Sequence, residues 1–166
     1  MRIVLAALLL ASVPSVRAAD TVVHHVLDLR LEPASRTLRG VDRVTMTPRA
    51  AAAFTLSPGV VVDRIRADGH EIHPVRAGDR HALALARATA HEVVIEYHGT
   101  LDPAPATGQL TRSVVSPEGS CLLGAGWFPS FDGPFTYELT IDVPEPQRAV
   151  TSGRLAAETA TGGRSR

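Results

Sequence analysis

The chain has 166 residues, 45% of them hydrophobic, with 17 basic residues balanced by 17 acidic ones and no formal net charge. A chain of this length folds as about one domain and buries roughly 70% of its unfolded surface, so a real core is expected. Every basic residue is an arginine and they are scattered singly, which denies DNA or RNA an electrostatic footprint and excludes nucleic acid as a partner.

Residues 1–19 have a lone Arg2, an apolar run from Ile3 to Val13, the helix breaker Pro14 and small residues up to Ala18 and Ala19. That pattern reads as a secretory signal peptide cleaved after Ala18 or Ala19. The run is about half of the ~20 residues needed to span a bilayer, so no transmembrane segment is expected after cleavage. The expected location is therefore exported, either periplasmic or secreted. The single Cys121 cannot form an internal disulfide, and its apolar setting S-C-L-L suggests a buried, inert thiol.

Residues 20–155 read as the folded domain. Between residues 22 and 31, Leu27, Leu29 and Leu31 alternate with polar neighbours, as in a half-buried strand. A turn at E-P-A-S-R-T leads into residues 38–46, where Val41, Val44 and Met46 are the apolar set and Gly40 suggests a bulge. Short strand patterns follow at A-A-F-T-L, V-V-V-D-R-I-R-A and H-E-I-H-P-V. The last two are joined by Asp68-Gly69, the strongest hairpin signal in the chain.

The pattern continues at R-H-A-L-A-L-A-R, H-E-V-V-I-E-Y-H, S-V-V-S, C-L-L-G, F-T-Y-E-L-T-I-D-V and A-V-T-S-G-R-L. A proline-rich surface loop over residues 101–108 interrupts it. Only residues 50–54 and 87–91 have the composition for a helical turn. Strands at this spacing, punctuated by Gly and Pro, predict an all-β antiparallel sandwich. Residues 156–166 lose apolar patterning and are expected to be a disordered tail.

The chemistry-bearing residues form no catalytic set. His91-Glu92 opens like H-E-x-x-H, but Ile95 stands where the second histidine would be. The run Val93, Val94, Ile95 also prefers a strand, in which positions i and i+4 are too far apart to share a metal. His70 and His73, like His24 and His25, face opposite sides of a strand, so hydrogen-bonded or solvated histidines are expected. Gly124 to Gly126 is only a fragment of a dinucleotide fingerprint, and Gly119 to Cys121 is no nucleophile elbow.

The densest feature is W-F-P-S-F-D-G-P-F. Here Trp127, Phe128, Pro129, Phe131, Asp132, Pro134 and Phe135 suggest either a rigid structural turn, with Asp132 accepting backbone N–H groups, or a domain interface for a protein partner.

In order along the chain, these pieces resemble zinc aminopeptidases of the aminopeptidase N type. H-H-V-L-D-L-R-L-E-P-A-S-R-T-L-R-G-V resembles that family's opening H-Y-x-L-x-L-x-P and x-G-x-V. I-E-Y-H-G-T-L resembles its Y-x-G-x-L strand, and W-F-P-S-F-D-G-P-F-T-Y-E-L-T-I-D-V-P its P-x-x-D-x-P turn and following strand. Ser152-Gly153 stands where many members carry S-N. The resemblance spans residues 24–155.

It implies a saddle-like N-terminal β-sandwich that packs on a thermolysin-like catalytic domain, whose zinc ligands and substrate-binding segments this sequence lacks. The zinc would belong to that domain, leaving this chain with no cofactor of its own and no peptide hydrolysis by itself. The loop S-C-L-L-G-A-G-W has no Gln or Glu for the substrate's amino group. The resemblance leaves three readings: a truncated domain that supports and caps a missing catalytic domain, one chain of a split peptidase, or a standalone periplasmic binding or adaptor sandwich. Under the first, a catalytic domain would begin near the tail.

Overall fold

The computed structural model describes residues 22–47, 52–85, 90–101 and 113–166. The signal-peptide reading and most of the proline-rich loop lie outside them. Val23–Glu32 (β1) and Thr37–Met46 (β2) form the first hairpin, with inward and outward residues alternating strictly along both strands. Arg36, in the turn, takes the left-handed conformation at φ 58°. Ala52–Thr55 (β3), Val60–Ala67 (β4), His70–Glu71 (β5), Val75–Ala77 (β6), Arg80–Leu83 (β7) and His91–Thr100 (β8) follow. Ser130–Phe131 (β9), Phe135–Pro144 (β10), Ala160–Thr161 (β11) and Arg164–Ser165 (β12) complete the order. The Asp68-Gly69 turn has φ of 51° and 81°, the pair of positive values that a tight β4–β5 hairpin needs.

Two sheets result. The larger has the order β11-β12-β10-β1-β2-β8-β4-β5, and the smaller β6-β7-β3-β9. Their inner faces share one apolar cluster, in which Leu27, Leu29, Val44, Ile95 and Tyr97 of the large sheet meet Ala52, Phe54 and Leu83 of the small one. The all-β sandwich is as expected, but its pairing is mixed. β1 and β10 run parallel, with Val23 opposite Phe135 and Arg30 opposite Asp142. Parallel strands need a long crossover, here residues 33–134, and no periodicity within one strand reveals such a pairing.

Other expectations are corrected by the structure. The tail is not without order: Gly162 and Gly163, at φ 61° and 73°, turn β11 back into β12, which pairs with the end of β10. Arg164 anchors it, its guanidinium donating to Asp142 at 2.6 Å and to Glu32 at 3.1 Å. The helical turn expected at residues 50–54 does not form over its described part, residues 52–54, and most of the one expected at 87–91 lies outside the described residues. Ala52–Thr55 is a strand because Phe54 is buried in the core, and His91 opens β8. S-V-V-S and C-L-L-G meet only in an isolated bridge between Val114 and Cys121, and residues 149–155 form no strand. Cys121 is half-buried.

Gly40 makes no bulge either, since β2 pairs without a break on both sides. The irregularity falls in β4 between Val62 and Arg64. Gly40 is needed because the ring of Tyr97, from the neighbouring strand, lies where a Cβ would sit. Gly40→Ala is expected to cost about 1–3 kcal/mol through overpacking. Adding Tyr97→Leu should return part of that loss, as read by thermal denaturation. Equal losses with and without the second change would refute the steric argument.

Candidate docking face

The aromatic turn folds inward. Trp127, Phe128 and Pro129 are buried, Phe131 is half-buried, and only Asp132, Pro134 and Phe135 of the seven candidates reach solvent. Trp127 donates its indole N–H to the Gly124 carbonyl at 3.0 Å and packs on Phe128 at 4.6 Å between ring centroids. Phe131 sits in β9, so the turn supplies an edge strand to the small sheet by pairing with Phe54. Asp132 accepts from Arg80 at 2.9 Å, tying the same turn to β7. Trp127, Phe128, Pro129 and Phe131 are thus packed into the fold, while the apolar ring of Phe135 remains exposed.

Beneath the turn lies a sealed polar pair. His25 and Asp42 are 1% and 0% exposed, and His25 Nδ1 is 2.7 Å from Asp42 Oδ2. The His25 ring is edge-on to Phe128 and to Phe135, at 5.4 and 5.6 Å. Burial pushes the Asp42 carboxyl above its usual range, and the His25 hydrogen bond opposes that rise. Burial, then the nearby Asp42 charge, pushes the Tyr97 hydroxyl up as well. Neither Asp42 Oδ1 nor the Tyr97 hydroxyl has a hydrogen-bond partner among the described residues.

The remaining histidines are spread around the fold. His91 meets Asp68 at 2.6 Å and His98 meets Asp63 at 2.7 Å, while His24 bonds the Thr136 hydroxyl at 2.8 Å. His81 stacks flat on Phe54 at 4.9 Å, and burial, then Arg76, holds its pKa below the ordinary value. Among the described residues, no three His, Cys, Asp or Glu side chains converge as a metal site would require. The histidine pairs act structurally, each holding a strand or turn to its neighbour.

What the sequence did not single out is the inner face of β10. Phe135, Tyr137, Leu139, Ile141 and Val143 alternate towards the same side as the core residues of β1. Yet Phe135 and Tyr137 are 45% and 37% exposed, and Leu139 and Ile141 are only half-buried. A groove of about 430 Å³ runs along this face, lined by Leu31, Leu122, Trp127, Leu139, Ile141 and Val143. Tyr137 donates its hydroxyl to the Ser152 carbonyl at 2.8 Å, which brings the irregular segment near Val150 and Leu155, both largely exposed, to the same side. The alternation at odd positions from 135 to 143 was visible in the sequence. How far the described residues leave this face exposed was not.

Among solved structures, the chain is similar to an M1 zinc metallopeptidase from Deinococcus radiodurans bound to a Tyr-Ser-Ala substrate. The TM-score is 0.70 at 20% identity, over 92% of this chain and 39% of that one. A second structure of M1 zinc metallopeptidase from Deinococcus radiodurans gives a TM-score of 0.71 at 20% identity, over 88% and 38%. A two-domain M1 zinc metallopeptidase bound to L-arginine gives 0.66 at 19%, again over 88% and 38%. At this identity the likeness is one of fold, and it agrees with the resemblance drawn from the sequence motifs. The chain spans about two-fifths of those peptidases. No protein-family model and no curated protein sequence matches it.

Proposed function

We propose that this chain is the non-catalytic β-sandwich domain of an exported zinc-peptidase-like protein, and that it supports and caps a catalytic domain. The observation that carries the reading is the fold likeness to M1 zinc metallopeptidases, which covers nearly all of this chain but only 38–39% of theirs. The exposed inner face of β10 supports it. A strand whose core-facing residues Phe135 and Tyr137 remain 45% and 37% exposed presents apolar surface of the kind that marks an interaction site. The docking surface is thus the Phe135 end of the aromatic turn together with the groove beyond it. The zinc and the peptide chemistry belong to the docked domain, and the pattern of residues 1–19 supports export.

An antibody against the sandwich, used on extracts of the native host, is expected to precipitate zinc-dependent hydrolysis of aminoacyl anilides, whether the active domain lies on the same polypeptide or on a partner. A precipitate that holds the sandwich but no such activity would overturn the proposal.

A further inference from the structure

Among the described residues, the outer edge of β10 is open along most of its length. Its neighbour on that side, β12, is two residues long and pairs only at Val143 and Pro144, so Phe135 to Asp142 have no strand beside them among the described residues. The Glu145 N–H donates to the Gly163 carbonyl. By the alternation of an antiparallel ladder, the N–H and C=O groups of Ile141, Leu139 and Tyr137 then point to this edge as well. No proline or lysine lies in the open stretch Phe135–Asp142, and its inward residues are apolar, the kind of edge that accepts another strand.

The two residues of β12 and the arginine that follows already show what fits. Ser165, opposite Val143, is buried towards the core. Arg164 and Arg166 lie on the other face, where Arg164 reaches Asp142 and Glu32, and Arg166 reaches Asp28 at 2.8 Å. Further along that outer face stands Glu138, which is exposed and has no basic partner among the described residues.

We infer that the open edge of β10 is a strand-addition site for an extended segment of a partner polypeptide. The segment runs antiparallel to β10 in the register set by β12, with apolar side chains in the groove and basic side chains on the outer face. Main-chain hydrogen bonds hold it, and the alternation sets its register. This rests on the reading of the β10 face as a docking surface, and names how the docked unit is gripped.

The test uses a labelled peptide of about eight residues alternating valine and arginine, read by fluorescence anisotropy against the full chain. Saturable binding is expected. It should weaken about tenfold or more when alternate backbone nitrogens are methylated, or when the same residues are arranged in two blocks. Glu138→Lys, a change at an exposed side chain, should weaken it several-fold. Absence of binding, equal binding of the methylated or block peptide, or pairing of β10 with a second copy of this chain would each overturn the inference. A peptide that fails while the immunoprecipitate hydrolyses aminoacyl anilides refutes strand addition alone and leaves the docking reading standing.

Discussion

Asp42→Ala is expected to be among the most damaging single changes in the molecule. It strands His25, 1% exposed and ringed by Phe128 and Phe135, without the carboxylate 2.7 Å away. Breaking a buried pair by removing one partner costs about 3–5 kcal/mol, a large part of the ~5–15 kcal/mol that holds a domain together. For a chain of this size the melting temperature should fall by roughly 6–20 °C.

The companion experiment separates the pair's strength from its absence. Asp42→Leu combined with His25→Leu fills the space with apolar atoms and should lose much less than Asp42→Ala, because neither member of the pair is left without the other. Calorimetry on both variants decides the matter. A melting temperature within about 2 °C of the parent for Asp42→Ala would mean that the pair carries no structural load.

Phe54→Ala should cost about 3–5 kcal/mol, the range for a buried phenylalanine truncated in a core. Its consequence should be local as well as global. Phe54 is fully buried, stacks on His81 of β7 at 4.9 Å and meets Phe131 of β9 at 5.4 Å, so one ring joins three of the four strands in the small sheet. Losing it should loosen that sheet from the large one. Trp127 emission should then shift to the red at denaturant concentrations where the far-ultraviolet signal of the eight-stranded sheet is still intact. A single coincident transition by both probes would show that the two sheets cannot be uncoupled. Phe135→Ala offers the contrast: this ring is 45% exposed, so the loss should be much smaller.

Much of the sandwich was legible because its hairpins are local. The alternation in β1 and β2, the Asp68-Gly69 turn and the β-branched run in β8 each state their conformation within ten residues. Failures came where a partner distant in sequence decides the outcome. Gly40 looks like a bulge until Tyr97, far along the chain, is known to lie over it. Ala52 and Ala53 favour a helix by propensity, but burial of Phe54 between two sheets overrides that preference. The tail carried its signal in Gly162-Gly163, a hairpin pair easily lost in a polar, low-hydrophobicity context.

Of the candidate site, the aromatic turn was visible as a cluster, but its direction was not. Whether Trp127 and Phe128 face in or out depends on β9 joining the small sheet through Phe54 and Phe131. The exposed face of β10 was harder still. An amphipathic strand reads the same whether or not a second layer covers it.

The parallel pairing of β1 with β10 also sets a schedule for the growing chain. The two strands are 112 residues apart, as in the His24 to Thr136 bond, so β1 leaves the ribosome long before the neighbour that seals one of its edges exists. The β1–β2–β8 ribbon can assemble first from nearby contacts, while closure waits until β10 has been made. During that interval an apolar strand edge lies bare, and crowding by other nascent copies is most dangerous then. Slow synthesis between β2 and β10 would lengthen the exposure, so yield from cells should depend on translation speed and on holding chaperones more than on the stability of the finished sandwich.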